Sequence, residues 1–282
     1  MSVPVFSTVA ALREQVCHWR KAGETVALVP TMGALHRGHI ALVEDGRRRA
    51  TRTIASIFVN PTQFAPTEDF SAYPRTFESD LAKLADAGAD GCFAPTVPEM
   101  YPPGFSVTVT LAGPAKADLE DRFRPTHFAG VATVVAKLLN QAQPDFAIFG
   151  EKDFQQLLVI RTMARDLDLP VEIVGAPTVR EPDGLALSSR NVYLSPQERA
   201  TAPVLQKALQ QCAQDIAKGL PLAEAVVTAA GTVSAAGFAL DYLEARDARD
   251  LAPAGAGAPL RILVAAKIGR TRLIDNIGAS AP

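Results

Sequence analysis

The sequence predicts an α/β protein in which a doubly wound parallel sheet is followed by a smaller α+β C-terminal domain. Three patterns carry this reading. Short apolar, β-branched runs recur, each leading through a polar loop into a segment of helical spacing. The runs suit buried strands and are too short for helices. Past about residue 180 the alternation ceases, and helices and then strands come in blocks.

In chain order, residues 8–22 place Val9, Leu12, Val16 and Trp19 at helical spacing, with Ser7 or Thr8 as N-cap and Gly23 as the stop. His18 on this helix reads as structural or surface rather than catalytic. Residues 26–29 are a first strand, and after a loop the run Ile40, Ala41, Leu42, Val43 opens a helix. That helix ends in Arg47, Arg48 and Arg49, which read as a solvated helix end where cations suit the dipole, more readily than as a phosphate patch. Residues 53–59 are a second buried strand. Residues 76–87 return as a helix with Phe77, Leu81 and Leu84 inward, followed by a short strand at 91–94. Four prolines make 95–104 a loop, and 105–111 alternates like an antiparallel or edge strand. Thr126 reads as the N-cap of a helix with Val131, Val134, Val135 and Leu138 as its core stripe. Strands at 145–149 and 171–174 bracket the helix opened by residues 150–156. A boundary falls in the loop near 180–186, dividing the chain into domains 1–182 and 183–282. Ser195-Pro196-Gln197-Glu198 combines N-cap, N1 proline and N3 glutamate, and starts a helix running to about Gly219. A second helix covers about 221–236, and two strand-like runs, 239–245 and 260–266, flank the low-complexity 253–258.

Composition narrows the class. The 282 residues are 48% hydrophobic and 21% charged with a net charge of -2, so no basic face for a nucleic acid is expected. No run reaches the roughly 18 apolar residues of a membrane span, and the N-terminus lacks the pattern of an export signal. Cys17, Cys92 and Cys212 are far apart and odd in number, which argues against a disulfide framework or a zinc site and for reduced thiols in the cytoplasm.

The loop Met32, Gly33, Ala34, Leu35, His36, Arg37, Gly38, His39 lies between a strand and a helix. Its glycines let the backbone approach a ligand, and its imidazoles, three residues apart, fall on one side of the helix's first turn. A helix N-terminus offers unpaired N–H groups, and open α/β sheets bind nucleotides at the carboxyl ends of strands, so this is a candidate anion site. Asn60 and Gln63 follow the second strand. As uncharged amides they suit a small hydroxylated acid, although a turn begun by Asn60-Pro61 explains the residues equally. Arg122, Arg124 and His127 gather near a helix start, as an anion site or as a salt-bridged surface. Gly150-Glu151-Lys152-Asp153 repeats the first loop's geometry. Lys152 can reach a phosphate, Asp153 can N-cap or contact a metal or ribose, and Gln156 lies one turn on. Ser188, Ser189 and Arg190 offer two hydroxyls and a guanidinium to phosphate oxygens.

Assembled, these residues resemble the pantothenate synthetase (pantoate–β-alanine ligase) family. His36-x-Gly38-His39 alone marks a wider nucleotidyl-transferring superfamily. Joined to Phe58-Val59-Asn60-Pro61-x-Gln63-Phe64, Tyr73-Pro74-Arg75, Gly150 to Asp153 and Ser188-Ser189-Arg190-Asn191, it is the family's signature. Tyr242-Leu243-Glu244 and residues 271–276 are similar to that family's C-terminal domain. The resemblance implies a Rossmann-like domain binding ATP and pantoate, a C-terminal lid, a homodimer, and ATP with Mg²⁺. It implies that pantoate attacks the α-phosphorus of ATP and that β-alanine then attacks the adenylate. It places Met32 to His39, Gly150 to Asp153, Val179 and Leu187 to Arg190 around ATP. His36, His39, Lys152, Ser188, Ser189 and Arg190 would act on the phosphates, with His39 a candidate proton donor. Gln63 and Gln156 would hold pantoate, Gln63 also serving β-alanine, with Asn60 and Phe58 bordering that pocket. Tyr73, Arg124 and His127 would stand at its mouth. Leu187 replaces the family's commoner methionine, and Thr126 stands where R-P-G-H-F usually has glycine.

Three other readings compete with this one. A different H-x-G-H nucleotidyl transferase would take a phosphate acceptor and need a basic pocket in place of Asn60 and Gln63. A nucleotide-sensing module would lack the chemistry-bearing His36, His39, Lys152 and Arg190, all of which are present. A zinc site at His36 and His39 has no further ligand at matching spacing.

Overall fold

The computed structural model describes residues 2–64, 70 and 73–280. The chain forms two compact units, Met1–Glu151 with Val159–Pro177, and Lys152–Leu158 with Thr178–Pro282.

The elements of the first unit are β1 (Val5–Phe6), α1 (Val9–Lys21), β2 (Val26–Thr31), α2 (Arg37–Arg49), β3 (Arg52–Ile57), α3 (Phe77–Asp86), β4 (Gly91–Phe93), α4 (Val97–Met100), α5 (Glu120–Phe123), α6 (His127–Ala142), β5 (Phe146–Gly150), α7 (Phe154–Asp166) and β6 (Glu172–Ala176). The first residues of α7, up to Leu158, belong to the second unit. The six strands form one parallel sheet in the order β1-β4-β3-β2-β5-β6. Val26 to Val29 are fully buried, as a strand covered on both faces requires, and this is why they read as a continuous apolar run. Helix α2 packs over β2, β3 and β5, while α1 packs on α6. The β2–β5 ladder stops at Leu28↔Ala147, short of Pro30, which has no N–H to donate. The β5–β6 ladder continues to Gly150↔Ala176.

The second unit contains α8 (Pro196–Thr201), α9 (Val204–Ala217), α10 (Leu222–Ala235), β7 (Ala239–Asp247), β8 (Leu260–Ile268) and β9 (Thr271–Ala279). The strands form an antiparallel sheet in chain order. Leu205, Leu209 and Ile216 of α9 pack in one core with Ile262, Val264 and Ala266 of β8.

Several expectations need correction. Residues 105–111 join no strand: Val107 is largely exposed, and Val109 donates its N–H to the Thr133 hydroxyl of α6 rather than to a sheet (3.0 Å). The long helix expected from 195 to 219 is two, α8 and α9, broken at Pro203, whose ring and missing N–H cannot continue a helix. Phe77 lies on the outside of α3, and the buried residues of that helix are Asp80 and Leu84. Thr126 occupies the cap position of α6, yet its side chain makes no cap hydrogen bond. Strands β1 and β9 were not foreseen.

The thiols follow the packing. Burial, reinforced by the Asp80 carboxylate, pushes the Cys92 thiol up to about 12, and burial with Asp215 pushes Cys212 up to about 11. Cys17 is exposed. Iodoacetamide at neutral pH is therefore expected to modify Cys17 alone in the folded protein. Mass spectrometry showing a second rapid adduct on folded protein would contradict this placement of the thiols.

Candidate active site

From β2 the sheet grows one way through β3 and β4 and the other way through β5 and β6, so β2 and β5 bracket the topological switch point. Ligands of open α/β sheets bind outside the carboxyl ends of strands at such a point. The loop from Met32 leaves β2 there, and the turn from Glu151 leaves β5.

The first loop makes a tight left-handed turn at Gly33 (φ +83°) and Ala34 (φ +50°). An alanine in this region is strained by about 1 kcal/mol or more, so something must hold it. Asp80 does so. Its carboxylate accepts from Ala34 N–H (2.9 Å), Leu35 N–H (2.8 Å) and the Thr76 hydroxyl (3.1 Å), and it is only 1% exposed. Lys83, one turn further along α3, donates to the Leu35 carbonyl (2.7 Å). Two of the loop N–H groups that the sequence offered to an anion are therefore satisfied from within the protein. Asp80 was missed as a site-shaping residue, although it lies four positions before the inward Leu84 on the same helical face.

The two imidazoles cap α2. His36 Nδ1 accepts from Gly38 N–H (3.1 Å), and His39 Nδ1 accepts from His36 N–H (3.3 Å), so each ring serves as a capping acceptor. The rings lie 4.0 Å apart between centroids, tilted by 33°. A neutral imidazole that accepts at Nδ1 carries its proton on Nε2. The hydrogen-bond pattern thus assigns the same tautomer to both.

The amides form a second group in this unit. Asn60, fully buried, caps the 3₁₀ turn Pro61–Gln63. Its Oδ1 accepts from Thr62 N–H (3.3 Å), Thr62 Oγ1 (3.0 Å) and Tyr101 Oη (2.8 Å). Its Nδ2 donates to Gln63 Oε1 (2.9 Å) and to the Gly130 carbonyl (3.2 Å). The turn reading is realised, and Asn60 commits its hydrogen bonds to the protein interior. The Gln63 carbonyl lies 3.2 Å from Arg124 Nη2 and 3.2 Å from His127 Nδ1. Gly130 permits this approach of α6, since a Cβ there would lie 2.3 Å from the Thr62 carbonyl oxygen. Phe58 is buried beside Tyr101, and Tyr73 sits edge-on to Phe64. Arg122 is exposed over Phe123.

In the second unit, Lys152 lies 3.6 Å from Asp153 and its carbonyl accepts from Asn276 Nδ2 (2.8 Å). Arg261 holds Asn276 Oδ1 (2.6 Å) and lies over the Phe154 ring. Residues 179–187 form a hairpin closed by Leu187 N–H on the Val179 carbonyl (3.0 Å), which makes those two residues neighbours. Arg180 on this hairpin grips the buried Asp275 through two bonds (2.6 and 2.8 Å). Consecutive residues of β9 thus brace the Lys152 turn and the hairpin that leads into Ser188, Ser189 and Arg190. Ser188 caps the 3₁₀ turn Ser189–Tyr193, accepting from Arg190 N–H (3.2 Å), while Arg190 is exposed. Gln156 is half-buried on α7. Among the described residues no three His, Cys, Asp or Glu side chains cluster as a metal site, and no helix is long and apolar enough to cross a membrane.

Comparison with known proteins agrees with this architecture. The family model of pantoate–β-alanine ligase matches residues 4–278. Pantothenate synthetase 2 of Bradyrhizobium diazoefficiens is 61% identical over 272 residues, 96% of either chain, and pantothenate synthetase of Rhodopseudomonas palustris is 56% identical over 97% of either. The crystal structure of pantothenate synthetase from Thermus thermophilus superposes with a TM-score of 0.91 at 51% identity, covering 98% of this chain and 99% of that one. Pantoate-β-alanine ligase from Francisella tularensis, complexed with β-γ ATP and β-alanine, superposes with a TM-score of 0.81 at 32% identity, covering 98% and 97%. The chain belongs to the pantoate–β-alanine ligase family.

Proposed function

We propose that the chain condenses (R)-pantoate with β-alanine using ATP, giving pantothenate, AMP and pyrophosphate through a pantoyl-adenylate. The observation that carries this, beside family membership, is the His36–His39 pair capping α2 at the switch point. In the first step a pantoate carboxylate oxygen bonds to the α-phosphorus as the bond to the β-phosphate oxygen breaks and pyrophosphate leaves. In the second, the β-alanine amine attacks the acyl carbon, loses a proton, and AMP departs. Anion attacking anion needs charge neutralisation and alignment more than a strong base, so positioned donors supply most of the acceleration.

The residue roles follow. Nε2–H groups of His36 and His39, with Lys152, Ser188, Ser189 and Arg190, serve the phosphates. Met32 to His39, Gly150 to Asp153, Val179 and Leu187 serve ATP as a whole. Gln63 and Gln156 serve pantoate, with Gln63 also serving β-alanine. Phe58 borders that pocket, Asn60 acts on it by holding Gln63, and Tyr73, Arg124 and His127 frame its mouth. Residues 1–182 are the ATP- and pantoate-binding domain and 183–282 a lid. Mg²⁺ would accompany ATP, with no protein ligand assigned to it. A homodimer in the cytoplasm completes the proposal.

The test supplies ATP, pantoate and β-alanine and follows pyrophosphate, AMP and pantothenate. Pyrophosphate release is expected only when pantoate is present, and pantothenate only when β-alanine is added. Equal release without pantoate, or turnover on a phosphorylated acceptor instead, would overturn the assignment.

A further inference from the structure

Gln63 owes its orientation to residues distant in sequence, and one of them, Tyr101, has no role in the assignments above. Tyr101 follows α4, with its ring edge-on to Phe105 (5.1 Å) and near Phe58 (6.1 Å). Its hydroxyl donates to Asn60 Oδ1 (2.8 Å), on the side where Thr62 N–H and Thr62 Oγ1 also meet that oxygen. Three groups there, two side-chain hydroxyls and one N–H, put the oxygen of Asn60 on that side. Its NH₂ is thereby left for two acceptors, the Gly130 carbonyl and Gln63 Oε1. A flipped Asn60 would set NH₂ against Thr62 N–H and oxygen against the Gly130 carbonyl, losing both bonds. With Oε1 engaged, the Gln63 amide meets a ligand through its NH₂ side, the correct polarity for a carboxylate or hydroxyl oxygen. Burial holds the Tyr101 phenol above its ordinary pKa, so it stays a protonated donor at neutral pH.

We propose that Tyr101 is a positioning residue for the acid substrate: it locks Asn60, which presents Gln63 to pantoate as a hydrogen-bond donor. This rests on the assignment of Gln63 to pantoate given above. The test compares the parent enzyme with Tyr101→Phe, Gln63→Ala and the double variant, measuring KM for each substrate, kcat and thermal unfolding. Tyr101→Phe is expected to raise KM for pantoate about three- to tenfold, the size of one net hydrogen bond, with KM for ATP held within about twofold. In the Gln63→Ala background the same change should have less than about a twofold effect, because the group it positions is gone. This coupling separates positioning from general loosening, which would persist in that background and raise both KM values. Unchanged KM for pantoate in Tyr101→Phe, a parallel rise for ATP, or an undiminished effect beside Gln63→Ala overturns the proposal. If Gln63→Ala itself leaves KM for pantoate unchanged, the assignment of Gln63 fails, and the relay through Tyr101 fails with it.

Discussion

His39→Ala is expected to lower kcat by about two to three orders of magnitude, the loss seen when one preorganised donor to a developing anionic charge is removed. The interpretation turns on which ring nitrogen is responsible. Alanine removes both functions of the side chain, the Nδ1 that accepts from His36 N–H and the Nε2–H that the capping pattern assigns to the outer side of the ring. Asparagine separates them. Its Oδ1 stands where Nδ1 stood and keeps the cap, while nothing replaces Nε2–H. His39→Asn should therefore match alanine in lost turnover and remain close to the parent in thermal unfolding, with alanine alone losing about 1 kcal/mol for the broken cap. If His39→Asn retains most of the activity, the ring acts through the shape of the α2 terminus and not through a donated proton. If both variants are active, His39 has no role at the phosphates.

The fold was largely legible because buried parallel strands announce themselves: residues 26–29 and 53–59 are mostly apolar without alternation, and 26–29 and 53–57 lie in the sheet, the second strand ending two residues sooner than expected. The parts that were not legible depend on partners far away in sequence. Strand β9 hides among polar residues because Asp275 and Asn276 are buried to hold Arg180 and Lys152, a demand visible only when those partners are in place. The alternation at 105–111 has the spacing of a strand but no ladder to join, since periodicity reports which faces differ and not whether a neighbour exists. Of the candidate groups, the two histidines could be read from spacing alone. Asn60 could be read as an amide near a strand end, but its inward commitment depends on Tyr101 and Gly130, 41 and 70 residues away. Asp80 was hardest to see, for an acid on a helix is ordinarily solvated.

That residue bears the other large expected effect. Asp80→Ala should destabilise the protein by about 3–5 kcal/mol and raise KM for ATP. The Ala34 and Leu35 N–H groups would lose the buried acceptors they now have, each loss costing about 1–3 kcal/mol, and the left-handed Ala34 would lose the contacts that hold its strain. Charge and shape are separable here too. Asp80→Asn keeps the volume but has one oxygen for two N–H donors, so its NH₂ must face one of them. It should recover only part of the stability, with KM for ATP between alanine and parent. Asp80→Glu should do no better: Asp80 is only 1% exposed, and an added methylene displaces the carboxylate from the two N–H groups it now accepts from. Chemical denaturation with ATP kinetics on the three variants decides the matter. Parent-like stability and KM for ATP in Asp80→Ala would show that the turn at Gly33 and Ala34 holds its shape unaided, and that the phosphate loop is preorganised by its own sequence and not by helix α3.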